Sequence, residues 1–375
     1  MVGMRDVAKR AGVSLSTVSL VVNGAGYVSD QMHDRVEAAM HDLNYIPNEL
    51  ARNLYRDRTN IVGIIVPTIR HPFFSTLTAV VQHELAQHGL RTLLCSTVDA
   101  DTGEAQYVDM LRRHMMDGIV MAAHTSHAPD FWTSIGRPVV AFDRYLGEGI
   151  PSVGSDHEEG GRLVARHLIR SGARHVVAIG GPRNQFHDLA HGSAVRSSAV
   201  VEGHGGTGDS TTFPTVRYHM TLEHELRTHG VGFDYVEAGE VYDLAGYAHA
   251  VEGVFDRFPD VDAMVSSDLG AAYCVQEALR RGIVIPRRLQ IIAYDGTFLA
   301  DAAGMKLTAV RQDFVVLASH VARRMIRAIE DNAPGARPSS DAPASDSAST
   351  VGSGDESEPL ADLVPMKMAY GETTR

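Results

Sequence analysis

The sequence predicts a small all-α domain at the N-terminus, followed by a larger α/β domain of two lobes whose parallel sheets are covered by helices. Two observations carry this. The first 54 residues hold short helical segments broken by glycine and turn residues. From Ile61 onward, apolar runs of strand length alternate with amphipathic stretches of helix length, in two successive series. At 375 residues the chain is also too long for one ordinary core and suggests two or three domains.

In the first segment, Met4–Ala11, helical spacing puts Val7, Ala8 and Ala11 on one face. Gly12 breaks that helix, as a left-handed turn residue would. Ser14 is placed to cap a second helix, Leu15–Val22, with its hydroxyl accepting from the Thr17 amide. A third helix is expected from a Ser29 cap to about Leu43, with Val36, Met40 and Leu43 in helical register and Pro47 as the stop. NELARNL (48–54) reads as one or two further helical turns.

The first α/β series runs IVGIIVP (61–67), a helix over 75–88, RTLLCST (91–97), a helix over 103–115, GIVMAA (118–123) with a short helix, PVVAFDR (138–144), SVGSD (152–156) and a helix near 158–170. The second contains HVVAIGG (175–181), DYVEAGE (234–240), AMVSSD (263–268) and LQIIAYD (289–295). Residues 201–217 are Gly/Ser/Thr-rich and read as a loop; 333–359 are Pro/Ala/Ser/Asp-rich low complexity, expected to be disordered. LVPMKMAYGETTR has strand alternation and suits a return to the sheet. The expected domains are therefore a headpiece (1–47), a hinge helix and linker (48–60), a two-lobed domain (61–332), an insertion (333–359) and a C-terminal strand and tail (360–375).

With 44% hydrophobic and 21% charged residues the composition is that of ordinary globular material. Cys95 and Cys274 are the two cysteines, too few for a disulfide scaffold or a cysteine-based zinc site, and they fit a reducing compartment. No apolar run reaches membrane-spanning length, and MVGMRDVAKRAGV has no apolar core of a signal peptide, so a cytoplasmic protein without a membrane partner is expected. The net charge of −12 argues on its face against nucleic acid. Within 1–60, seven Arg/Lys balance seven Asp/Glu, so any case for DNA rests on motif rather than on charge.

That motif is D-V-A-K-R-A-G-V-S-x-x-T-V-S, Asp6 to Ser19. A helix, a glycine turn and a capped second helix suit a recognition helix that enters the major groove by its N-terminal end. The hydroxyls of Ser14, Ser16, Thr17 and Ser19 can bond phosphates or base edges. The plainer alternative is three helices packing a small core, for which surface Ser and Thr would have no use.

Residues 4–60 closely resemble the headpiece of the lactose-repressor/galactose-repressor (LacI-type) family, in VAKRAGVS, TVS, VVNG, YVS and NYIPNELARNL. The remainder resembles that family's periplasmic-binding-protein-like regulatory domain through IVGIIVP with HPFF, GIVM, AFDR, SDHEEGGRLVARHL, SSD, AYDG and LTAVRQD. The resemblance implies a DNA-binding regulator, expected to be a repressor, whose homodimer reads a palindromic double-stranded operator and is modulated by a small-molecule effector, a carbohydrate by default, between the lobes. It also implies DNA contacts by Leu15 and Leu20, phosphate positioning by Ser14, Thr17, Ser19, Asn23, Tyr27 and Asn48, and a hinge helix carrying Arg52 beside the minor groove. Leu54 would be the apolar wedge that unstacks the central step. Effector contacts would fall to Phe73, Phe74, Asp143 and Asp295. No cofactor is implied, and the absence of a C-terminal leucine heptad favours a dimer over a tetramer.

Two departures stand out. Leu20 occupies the position after T-V-S where members usually carry Arg or Lys that reaches guanine; leucine can instead touch a thymine methyl, so an altered half-site is expected. The alternative is that Leu20 packs against the headpiece core. In the second lobe, HDLAHGS puts Leu189 where sugar-binding members usually have Arg, and Ser193 where they have an aromatic, which leaves the Arg clamp on the ligand incomplete. A non-sugar effector, or none, becomes an alternative. Asp268 also ends a strand, and its expected role is a helix cap or domain-interface residue.

Other chemistry is weaker. His187 and His191 share a helix face without a third metal ligand, GHGGTG (203–208) lacks the Lys-Ser/Thr of a phosphate loop, Glu158–Glu159 reads as a solvated helix start, and no nucleophile–base set occurs. An enzyme is therefore not expected. The runner-up reading is a periplasmic-type solute-binding protein without a DNA role, against which the headpiece counts.

Overall fold

A computed structural model describes residues 2–24, 26–47, 58–100, 103–125, 127–182, 214–332 and 360–375. The expected hinge helix with Asn48, Arg52 and Leu54, the HDLAHGS stretch with Leu189, the GHGGTG stretch and the 333–359 insertion lie outside these residues. The chain divides into two compact units, Met1–Thr59 and Asn60–Arg375.

The first unit is built from α1 (Met4–Ala11), α2 (Leu15–Asn23) and α3 (Asp30–Asp42). Val7, Ala8 and Ala11 pack with Val18, Val36 and Ala39 in a small core, edged by Met40, Leu43 and Tyr45. Gly12 ends α1 at φ +64°, and a Cβ there would fall 2.8 Å from the Arg35 guanidinium, which itself donates to the Ala11 carbonyl. Arg10 pairs with Asp42. Two of the headpiece's cations are thus used inside the fold. Two expectations need correction. Ser29 stands at the start of α3, but its side chain makes no capping bond. Helix α3 is finished at Asp42, with Leu43 as its C-cap, well before Pro47 could stop it.

The second unit has two lobes. Lobe 1 contains β1 (Ile61–Val66), α4 (Pro72–Gln87), β2 (Arg91–Ser96), α5 (Glu104–Arg112), β3 (Gly118–Met121), α6 (Pro129–Thr133), β4 (Val139–Phe142) and β5 (Ser152–Ser155). The chain then crosses into lobe 2 with α7 (His157–Arg170), β6 (His175–Gly180), α8 (Pro214–Thr228), β7 (Gly232–Glu237), α9 (Leu244–Arg257), β8 (Ala263–Ser267), α10 (Asp268–Arg280), β9 (Gln290–Asp295), α11 (Phe298–Ala302) and β10 (Thr308–Arg311). It returns to lobe 1 as α12 (Phe314–Asp331), whose Leu317, Val321 and Met325 join that lobe's core. Finally β11 (Ala361–Val364) and β12 (Lys367–Ala369) divide the tail between the lobes.

The sheet orders are β11-β5-β4-β3-β1-β2 and β12-β10-β9-β8-β6-β7. Apart from the tail strands, both follow the doubly wound pattern in which the chain reverses direction across the sheet beside its first strand, leaving a crevice at the carboxyl ends. Apolar side chains on both faces explain the near-continuous hydrophobic runs of the sequence: IVGIIV is buried from its second residue on, and QIIAYD throughout. The expectation of parallel sheets holds except at β12, which runs antiparallel to β10. The loop reading of 201–217 is corrected at its end, because residues 214–217 already belong to α8.

Candidate functional site

In the headpiece, Ser14 caps α2 by accepting from the Thr17 amide at 3.0 Å, and its hydroxyl also bonds those of Ser16 (2.7 Å) and Thr17 (2.8 Å). Asn23 donates to the Ser19 hydroxyl at 3.2 Å. Val18 faces the core, while Leu15, Ser16 and Leu20 are exposed and Tyr27, beyond the helix, is almost fully so. The structure therefore places Ser14, Leu15, Ser16, Thr17, Ser19, Leu20 and Asn23 on one capped helix. Leu20 is not part of the headpiece core, against the packing alternative; its Cδ2 leans on the Gly26 turn, 3.4 Å from where a Cβ would stand.

In the second unit, a cleft with a cavity of about 120 Å³ opens between the lobes at the carboxyl ends of the strands. Phe73, Phe74, Asp143 and Asp295 all line it, as do His71, Arg144, His157, Tyr247, Tyr294 and Gln312. The first lobe contributes an aromatic wall: the Phe73 ring meets Phe74 edge-on at 5.0 Å and packs on Phe142 and Phe314. Tyr247 of α9 stands opposite, 6.4 Å from the His71 ring.

The polar groups sit where strands end. Asp143 and Asp295 follow β4 and close β9 with φ +53° and +99°, a region that non-glycine residues rarely occupy and that collects at functional sites. Asp143 accepts from the Ser155 amide and pairs with His157 Nε2, both at 2.9 Å, and the other nitrogen of His157 bonds the Tyr294 hydroxyl. Asp295 accepts from Gln312 Nε2 at 2.8 Å, and Gln312 Oε1 accepts from Ser155 Oγ at 2.7 Å. These bonds tie the two lobes at the crossovers. Arg144 donates to the carbonyls of Phe142 and Ala122, and burial pushes its guanidinium down to about 10.

Asp268 is not the cap of α10; Ser267 is. Its carboxylate instead accepts from the amides of Gly296 and Thr297 and from the Thr297 hydroxyl, which holds the loop just after Asp295. Burial pushes Asp268 up to about 6, and burial followed by the neighbouring Asp268 raises Asp295 well above the usual carboxylate range. For an acid whose pKa is raised by folding, losing the proton costs stability, so that cost grows as pH rises from about 4 through the folded values. Asn mimics the protonated acid and still accepts from Gln312. Asp295→Asn should therefore gain stability relative to wild type as pH goes from 4.5 to 7.5, in paired urea unfolding curves. A difference independent of pH would contradict it.

His71 was not foreseen. It caps α4, its Nδ1 accepting from the Phe73 amide at 3.3 Å, which puts the ring proton on Nε2. Burial pushes the ring down to about 4, so it stays neutral, and Nε2, buried at the cleft, has no partner among the described residues. Only its place after β1, before Pro-Phe-Phe, could have signalled this in the sequence. Among the described residues, no group of three or more His, Cys, Asp or Glu could hold a metal, and no helix is long and apolar enough to cross a membrane.

Three comparisons bear on these two sites. Residues 3–48 match the model for bacterial regulatory proteins of the lacI family, 59–205 that for periplasmic binding proteins and the sugar binding domain of the LacI family, and 165–345 that for a periplasmic binding protein-like domain. The chain is 32% identical over 310 residues to the sucrose operon repressor of Streptococcus mutans, covering 82% of this chain and 87% of that one. It is 30% identical to the ribose operon repressor of Bacillus subtilis, covering 88% and 92%. In fold it is similar to a Lac repressor dimer bound to operator and the anti-inducer ONPF (TM-score 0.73, 20% identity, 100% and 99% covered). It is also similar to a transcriptional regulator CelR–cellobiose complex (TM-score 0.61, 21% identity, 100% of both chains).

Proposed function

Because this chain belongs to the LacI family of bacterial DNA-binding regulators, we propose that it is a cytoplasmic repressor that binds a palindromic operator as a homodimer and answers to a small molecule held between its lobes. The α2 helix reads the major groove, with Ser14, Thr17, Ser19, Asn23, Tyr27 and Asn48 positioning phosphates and Arg52 and Leu54 acting at the minor groove. A carbohydrate suits the cleft: aromatic faces cover the apolar side of a sugar ring, while Asp143, Asp295 and Gln312 offer partners for its hydroxyls. We assign the protein no reaction.

The observation that carries the ligand reading is His71. A buried N–H without an acceptor costs free energy, and a ligand oxygen at Nε2 would remove that cost. A ligand bound more tightly to one arrangement of the lobes would shift the equilibrium between DNA-binding states by that difference in affinity.

The test is gel-shift binding of the full chain to palindromic duplexes from upstream of its own gene and its neighbours, with sucrose, ribose and cellobiose titrated in. Release of the duplex by one of them supports the reading. Failure to bind any duplex specifically would sink it. His71→Leu should raise the effector concentration for half release about tenfold, with ligand-free operator affinity unchanged.

A further inference from the structure

The recognition helix has an unusual chemistry for its task. Leu15–Asn23 (LSTVSLVVN) contains no Arg, Lys, Asp or Glu. It therefore has no guanidinium or ammonium to place on guanine O6 and N7, and no carboxylate to accept from cytosine N4. Its two largest outward side chains are Leu15, 43% exposed, and Leu20, 38% exposed. At 3.6 residues per turn these leucines bracket Ser16 and Ser19 on the outer face. The hydroxyl of Ser16 is engaged with Ser14, and that of Ser19 with Asn23. The Leu20 Cδ2 lies beside the Gly26 turn (φ +73°), 3.4 Å from where a Cβ on Gly26 would stand.

We infer that Leu15 and Leu20 read thymine: each seats the C5-methyl group of a T·A pair, so each operator half-site carries two thymines recognised by their methyls. This rests on the DNA-binding reading above and assigns that interface its sequence preference. The T methyl is the one apolar feature of the major-groove edge, and a leucine that covers it removes apolar surface from water on both partners. An arginine-reading helix would select G·C at the same place. Two uncharged side chains discriminate by the presence of a methyl and leave phosphate affinity to other residues.

The experiment selects binding sites from random duplexes with the full chain. Each selected thymine is then replaced by deoxyuridine, which pairs identically and lacks only the methyl. The protein is untouched, so folding plays no part. Removing one recognised methyl should weaken binding about fourfold per half-site, and about tenfold or more when both half-sites are changed. Leu20→Ala should abolish the deoxyuridine effect at one position and Leu15→Ala at the other, while Leu20→Arg should move the selected base toward guanine. Specific binding that ignores deoxyuridine would overturn the inference and leave the DNA-binding reading standing. So would a deoxyuridine effect that persists unchanged in both alanine variants. If no duplex is selected at all, both fall together.

Discussion

Arg324→Ala should lower the unfolding free energy of the second unit by roughly 3 kcal/mol or more, because it strands a buried carboxylate. Arg324, 5% exposed on α12, donates twice to Asp362 of β11, Nε to Oδ2 at 2.9 Å and Nη2 to Oδ1 at 2.8 Å. Burial alone would raise the Asp362 carboxyl, but the bonds and charge of Arg324, and then His320, hold it below its usual value. Arg323 at 3.3 Å and His320 at 3.2 Å would soften the loss without replacing the two-pronged geometry. The loss should therefore be smaller in the double variant Arg324→Met, Asp362→Leu, which leaves neither charge unanswered. Urea unfolding of the three proteins at pH 7 decides it; equal stabilities for Arg324→Ala and wild type would show that the pair is idle.

The second large effect is expected at Asp268→Ala. The residue is 1% exposed, and its carboxylate is the acceptor for two backbone amides and one hydroxyl of residues 296 and 297. Alanine leaves all three donors in a dry site, for about 3 kcal/mol or more of lost stability. Asp268→Asn retains one acceptor oxygen and should fall between. Since the loop begins where Asp295 ends β9, the consequence reaches the cleft: ligand affinity should drop together with stability in both variants, in calorimetric titration beside denaturant melts. An alanine variant with ligand affinity intact would show that the loop does not position Asp295.

What the sequence disclosed depended on how local the cause was. Gly12 and Ser14 act on their own turns, and both the left-handed φ and the cap were legible. The strands were legible because doubly covered sheets demand continuous apolar runs. The start of α8 was hidden in TTFPTVR, where Thr and Pro read as loop, although proline is at home in the first turn of a helix. The site divides in the same way. Asp143 and Asp295 could be placed at strand ends by pattern, whereas His157, Tyr294 and Gln312 meet only because crossovers distant in sequence converge. Burial singles out His71, and burial belongs to no local pattern. Leu20 could be seen as a departure, but its exposure had to be observed.

The tail has a consequence of its own. Beyond the 333–359 stretch, β11 adds to the edge of one sheet and β12 to the edge of the other, with Met366 buried between them. The final residues thus behave as a two-headed peptide that the protein itself supplies. Each head augments a different lobe. The second head is pinned further by residues beyond β12: the buried Thr373 accepts from the Ile291 amide and donates to the Ile291 carbonyl. Such a clasp resists separation of the lobes, in the short stretch from Val364 to Lys367 that must give whenever they part.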